Sequence, residues 1–390
     1  MVVDLLKGSI CKFVEIIRVI SFFINVKKVE NKKVLIVGHD FAKAGAQVLL
    51  LNIIKEFSNR KIDVVMISRG NGPLEGEYRK VCKTYVATID RIFELYIRRI
   101  KKLGYNVAIT NTVVTGSIVD ELKKNNFYVV SLIHELPNLI KEGGHLKSAN
   151  AIANKSDVVV FPSTYVRDKF SELVEIKNNV LIKPQGLFLN KDHKVNKKMA
   201  KEKLHNKYLL PINNRLVINV ATGIKRKGFD LFLDIAIKSI ENKDISFIWV
   251  GDYKKEILDQ VLKKNNMKDI PNLTLTGYIN NPEFLAYFYD AADLLMLTSR
   301  EEPFGSIVLE AFNSETPVIA FKDRGGYIDV VKQNKTGYLV DYCNIIEMQK
   351  KVIEVLNSKD IELISKECKQ SLKQYKFEDY ISYLINIAFN

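Results

Sequence analysis

Short apolar runs alternate along this chain with longer stretches in which apolar residues recur at helical spacing. The runs at 34–38, 62–67, 107–110, 128–133, 157–161 and 180–182 read as strands. A run that is apolar throughout suits a parallel strand buried on both faces. Between these runs, helical periodicity marks 46–59, 89–103 and 116–124. The pattern breaks at 183–207, where Pro184, Gly186 and a basic run over 191–198 predict an interdomain linker. It then restarts, with strands at 216–220, 245–250, 273–276, 294–297 and 317–320. Helices are expected at 229–241, 306–313, 345–356 and 361–375, and a last apolar segment covers 380–388. Such alternation with short connections is the mark of α/β architecture. The chain is therefore expected to form two doubly wound, Rossmann-like parallel-sheet domains facing across a cleft, with ligands at the carboxyl ends of the strands. A length of 390 residues fits two domains.

Ahead of the first strand, Leu6, Ile10, Phe13, Ile17, Ile20 and Ile24 share one helical face, with Lys7, Cys11, Glu15 and Arg18 on another. The apolar run at 19–24 is too short to span a bilayer. An amphipathic helix over 1–30 is expected. It either docks on the first domain or lies on an anionic membrane through residues 1–28.

Composition adds a sign. The chain holds 59 Lys and Arg against 45 Asp and Glu, a formal charge of +14. That favours anionic partners such as nucleotides, phosphates or an acidic membrane face, and it also fits a merely Lys-rich surface. Cys11, Cys82, Cys343 and Cys368 form no C-x-x-C pair, and the five histidines show no metal-binding spacing. The expectation is a reducing, cytoplasmic setting with no metal and no cofactor. No basic stripe is interleaved with aromatics, so no nucleic-acid partner is expected.

The chemistry concentrates in TSREEPFGSIVLE, residues 298–310, which follows a strand and opens a helix. Pro303 and Gly305 shape the turn, and the N–H groups at Gly305 and Ser306 can take a phosphate. Glu302 and Glu310 flank that start. A carboxylate accepts two hydrogen bonds from a vicinal diol, so the pair suits a ribose or hexose; the competing reading is two solvated charges. A second loop, VATGIKRKG at 220–228, carries Lys225, Arg226 and Lys227 beside Gly228, as a diphosphate site would. In the first half, Gly45 and Ala46 lie at a strand–loop–helix junction, and His134 follows the strand at 128–133.

This set of motifs resembles the family-4 retaining glycosyltransferases, the glycosyl transferases group 1, of GT-B fold. The resemblance rests on the two glutamates with Pro-Phe-Gly between them, then residues 316–320, Gly325-Gly326 and 335–340. It also takes in residues 227–230, 250–252, Gly277-Tyr278, 184–186 and 45–47. The E-x7-E spacing alone is weakly specific; the ordered set is highly specific.

The resemblance implies that Glu310 binds donor ribose hydroxyls, that Glu302 contacts the donor sugar, and that the backbone at Phe304, Gly305 and Ser306 holds sugar and diphosphate. Lys227 matches a diphosphate lysine, His134 a histidine near the donor sugar, and Gly45 a glycine loop near the phosphates and acceptor. Tyr278 is expected near the base. The family's arginine five residues before the lysine is replaced by Thr222, with Lys225 or Arg226 as substitutes. An acceptor domain over 31–190, joined by a terminal helix at 377–390, and a donor domain over 205–376 are implied. So is closure of the domains to exclude water. The expected activity is transfer of a sugar, with retention, from a nucleotide sugar to a glycan or lipid-linked acceptor in cell-surface polysaccharide or glycoconjugate synthesis. The site would be cytoplasmic, with peripheral attachment to the inner face of the membrane. The alternatives are an inactive GT-B binding partner and a nucleotide-sugar isomerase.

Overall fold

The computed structural model describes residues 32–188 and 195–390, so the leader expected over 1–30 and its membrane contact lie outside the described residues. Two compact units emerge. The first includes everything described up to Pro162, then Arg167–Lys183 and Tyr380–Asn390; the second is Ser163–Val166 and Pro184–Asp379.

The first unit is built on seven strands: β1 (Lys33–Gly38), β2 (Asp63–Ser68), β3 (Lys83–Val86), β4 (Val107–Asn111), β5 (Tyr128–Leu132), β6 (Val158–Phe161) and β7 (Asn179–Ile182). They pair in the order β3-β2-β1-β4-β5-β6-β7, all parallel. The second holds β8 (Arg215–Val220), β9 (Ile245–Val250), β10 (Leu273–Leu275), β11 (Leu294–Leu297), β12 (Val318–Phe321) and β13 (Gly337–Val340), in the order β10-β9-β8-β11-β12-β13, again parallel. The central strands are buried on both faces, which is why they read as unbroken apolar runs. In the second core, Trp249 of β9 packs against Phe229 and Phe232 of the preceding helix, Phe229–Lys238, with ring centroids 4.8 and 5.2 Å away.

Some local structure departs from the sequence pattern. The stretch read as linker contains a helix, Lys197–Tyr208, started by Asn196, whose side chain accepts from the Met199 N–H at 2.9 Å. Only Ala200 and Leu204 of that helix are buried, so its apolar stripe is one residue wide and its lysines mask it. Both pack into the second core, and the stretch from Pro184 accordingly belongs to the second unit. The helix expected from 116 starts as a 3-10 turn, Val113–Ile118, in which Gly116 is pressed onto the helix Leu146–Lys155: a Cβ there would stand 2.1 Å from the Ser148 carbonyl. β3 and β13 have four residues each and are polar or glycine-bearing, below what alternation can mark.

Each sheet has one place where successive connections run outward in opposite directions. In the first it is β1/β4, in the second β8/β11. The carboxyl ends of such a pair leave a crevice in open α/β sheets.

Candidate active site

In the second unit the segments after β8 and β11 meet at this switch point. The KRKG turn is a 3-10 turn, Lys225–Lys227, closed by Gly228 at φ +69°. A Cβ on Gly228 would fall 1.8 Å from the Thr298 carbonyl, so only glycine lets the two loops touch. They are then laced together. The Arg300 N–H donates to the Arg226 carbonyl at 2.8 Å, and Arg226 Nη1 donates to the Glu301 carbonyl at 3.1 Å. The Arg300 guanidinium grips both carboxylate oxygens of Asp230 at 2.7 Å.

That lacing brings the Lys227 ammonium onto Oε2 of Glu302. Ser299 Oγ donates to the same oxygen at 3.2 Å. The Glu302 backbone is held as well: its N–H donates to the Arg324 carbonyl at 2.9 Å, and the Gly326 N–H donates to its carbonyl at 3.1 Å. Gly325 is required by that contact, since a Cβ would lie 2.1 Å from the Glu302 carbonyl. The chain then turns at Gly305, φ +78°, into the helix Ser306–Asn313. No side chain caps this helix and no acidic residue sits in its first turn, so its leading N–H groups and positive dipole end face outward.

Glu310 is buried, only 7% exposed, and forms no ion pair among the described residues. Burial raises its carboxyl to about 7, with the Tyr289 hydroxyl pulling the other way. A buried carboxylate without a cation needs hydrogen-bond donors, and a diol supplies two. The reading of Glu302 and Glu310 as solvated charges therefore fails. Beside them the ends of β8, β9 and β10 form a glycine shelf. The Gly223 N–H donates to the Asp252 carbonyl at 2.6 Å, and Gly251, at φ +134°, stands against Ala221. The Tyr278 N–H donates to Asp252 Oδ1 at 2.9 Å, which leaves the Tyr278 ring exposed.

The first unit carries its own polar cluster at β1/β4. Thr112, just after β4, sits at φ +78°, ψ 156°, a region that β-branched residues avoid. Its hydroxyl meets His39 Nδ1 at 2.9 Å, and its N–H is taken by the Leu132 carbonyl at 2.9 Å. The other His39 nitrogen faces the Gln47 amide at 3.0 Å, and that amide also donates to Asp40 Oδ1. Burial lowers the His39 value, and Asp40 opposes that shift. Next to it, His134 Nε2 lies 2.9 Å from Asn111 Oδ1. Burial pushes the His134 ring down to about 4, so it is neutral at physiological pH. Its neighbour Glu135 accepts from the Val113 and His134 N–H groups at 2.9 and 3.1 Å, and burial lifts that carboxyl to about 7.

Residues 200–376 match the family model described as glycosyl transferases group 1. These residues belong to that family. A processive diacylglycerol alpha-glucosyltransferase from Acholeplasma laidlawii is 26% identical over 220 residues, which are 56% of this chain and 63% of that relative. The chain thus spans under two-thirds of that relative's length. A sucrose-phosphate synthase from Thermosynechococcus elongatus superposes with a TM-score of 0.76 at 20% identity, covering 92% of this chain and 98% of that one. Anabaena HepE in complex with UDP-glucose gives 0.74 at 18%, covering 91% and 99%. At such identities these structures speak for the fold, which is GT-B.

Within the group 1 domain, Lys227, Glu302, Gly305 and Ser306 converge on one corner. Of the three cations in the KRKG turn, Lys227 alone pairs with Glu302; Arg226 is committed to a carbonyl and Lys225 is exposed. The Phe304 side chain is in the core, leaving its backbone to the site. In the first unit, Gly45 opens the helix Gly45–Asn59 with nothing within 4 Å of where a Cβ would sit, and the Ala46 carbonyl accepts from Asn111 Nδ2 at 3.1 Å. Sequence reasoning did not single out His39, Asn111, Thr112, Glu135 or the Asp230–Arg300 strap. His39 was findable: it directly follows a buried strand at the switch point.

Proposed function

We propose that this protein transfers a glycosyl group from a nucleoside-diphosphate sugar to an acceptor hydroxyl with retention of configuration. The carrying observation is the Lys227–Glu302 ion pair at the uncapped start of the helix Ser306–Asn313, with Glu310 buried in that helix. The helix start and Lys227 receive the diphosphate and stabilise its charge as it departs. Glu310 accepts the two ribose hydroxyls. Glu302, whose contacts with Lys227 and Ser299 fall on Oε2, presents Oε1 to a sugar hydroxyl. The base lies on the glycine shelf beside Tyr278.

In the reaction the bond from the anomeric carbon to the diphosphate oxygen breaks, and a bond to the acceptor oxygen forms on the same face. The acceptor proton passes to the leaving diphosphate. His134, neutral, gives its Nε2 proton to Asn111 Oδ1, so it meets a donor-sugar hydroxyl as an acceptor through Nδ1 rather than as a charge. UDP is the favoured nucleotide, since HepE of the same fold is held with UDP-glucose. A lipid or glycan acceptor is favoured by the Acholeplasma relative, named for action on diacylglycerol. Attachment to an anionic membrane face is part of this reading, and it is consistent with the formal charge of +14. No described helix is long and apolar enough to cross a membrane.

The test is slow hydrolysis of UDP-glucose by the purified protein, followed by proton NMR within the first minutes. Release of UDP with α-glucose appearing first supports retention. β-Glucose appearing first contradicts it.

A further inference from the structure

The segment that follows His134 has an unusual exposed face. Pro137 opens a six-residue helix, Pro137–Glu142, that buries only Ile140. A turn at Gly143 and Gly144, the latter at φ +68°, is closed by the His145 N–H on the Ile140 carbonyl at 2.8 Å. The next helix, Leu146–Lys155, buries Ala149, Ile152 and Ala153. Leu139 and Leu146 flank the turn and stand 47% and 42% exposed. Tight turns at a protein surface are ordinarily polar, so two leucines at one tip call for an explanation.

The surroundings narrow it. Lys141 and Lys147, both exposed, flank the leucines, and Glu142 is the one acid between them. The turn is reached a few residues after His134, whose Nε2 lies 2.9 Å from Asn111 Oδ1. The helix after it presses its Ser148 carbonyl onto Gly116, in the 3-10 turn that follows Thr112. The tip therefore stands beside the polar cluster of β1/β4. The exposed Lys43 and Gly45 belong to the loop that leaves His39. An apolar tip flanked by two exposed lysines, adjoining a polar cluster, matches the boundary between acyl chains and anionic headgroups.

We propose that the turn 139–147 is a membrane-docking tip that inserts Leu139 and Leu146 among anionic lipids, Lys141 and Lys147 taking the headgroup phosphates. It would place a lipid acceptor's hydroxyl beside His39 and Asn111. The inference rests on the reading of the first unit as the acceptor side. The test is designed so that its failure leaves nucleotide binding measurable.

The full-length protein is floated with vesicles of phosphatidylcholine containing phosphatidylglycerol, and with phosphatidylcholine alone. Hydrogen–deuterium exchange is followed in parallel. Bound to the anionic vesicles, amides within 138–147 exchange at least about tenfold more slowly. L139D/L146D floats about tenfold less while its thermal shift with UDP is unchanged, which shows that it is folded. Three results would overturn the proposal: unchanged exchange at 138–147 on bound vesicles, parental flotation of the double variant, or equal binding to vesicles without anionic lipid. The first of these would also be the result if residues 1–28 alone carried the protein to the membrane.

Discussion

The Lys227 ammonium rests on Glu302 of the loop that leads to Glu310, while Glu310 itself pairs with no cation among the described residues. The two carboxylates thus stand in different electrostatic states within one strand–loop–helix segment. One is a charged partner that aims a lysine at the helix start. The other is a buried carboxyl beside the Tyr289 hydroxyl, its affinity for a proton raised by burial. That asymmetry is the basis for assigning one to the reacting end of the donor and the other to its ribose.

Lys227→Ala removes the cation at the developing diphosphate charge. UDP-glucose hydrolysis should fall about 100- to 1,000-fold in kcat/KM. Lys225→Ala, at an exposed position, should change it less than about threefold. Equal losses in steady-state assays of the two variants would contradict the assignment of Lys227.

Glu310 makes stability depend on pH. Its carboxyl moves from 4.5 to about 7 on folding, so the folded state favours the protonated form. The stability it contributes is complete below about pH 4.5 and is lost as pH rises through about 7. Glu310→Gln cannot ionise. In calorimetric melts without nucleotide it should exceed the parent at pH 8 by up to about 3 kcal/mol, and the gap should close near pH 4. Glu135 shifts in the same direction, so the parent-to-variant difference is the quantity to read.

Gly228→Ala should be among the most damaging single changes in the second unit. The φ of +69° and the approach to the Thr298 carbonyl act together. A loss of more than about 2 kcal/mol in urea unfolding is expected. UDP affinity should fall with it, because the strap between the two loops opens. Arg300→Lys should give a milder form of the same defect, about 1 kcal/mol, since lysine cannot grip both Asp230 oxygens and the pair is partly exposed.

Strain at Thr112 is testable by contrast. Thr112→Gly relieves a backbone cost on the order of 1–3 kcal/mol and loses one hydrogen bond to His39. Its stability should stay within about 1 kcal/mol of the parent. Thr112→Val keeps the strain and loses the bond, and should fall by about 1–2 kcal/mol. If Thr112→Gly proves the less stable of the two, the strain assignment is wrong.

The two sheets were legible in the sequence because their strands are buried on both faces and so appear as unbroken apolar runs. The E-x7-E loop was legible because its glycines are constrained: Gly305 turns at φ +78°, and a Cβ on Gly325 or Gly326 would strike the Glu302 or Pro303 carbonyl. The helix Lys197–Tyr208 was hidden because Ala200 and Leu204 are its only buried residues. The polar cluster of the first unit was hidden for another reason. His39, Asn111, Thr112 and Glu135 are scattered along the chain and meet only when β1, β4 and β5 are side by side. Nor does composition reveal that Thr112 occupies a left-handed φ, which threonine disfavours.

The most direct measurement of the central claim is calorimetric titration of UDP into the parent protein and into Glu310→Ala, with GDP, ADP, TDP and CMP as controls. The account predicts one tight nucleotide diphosphate, UDP, with affinity reduced about tenfold or more in Glu310→Ala. Unchanged UDP affinity in that variant would contradict the ribose role of Glu310, and with it the assignment of this corner as the donor site.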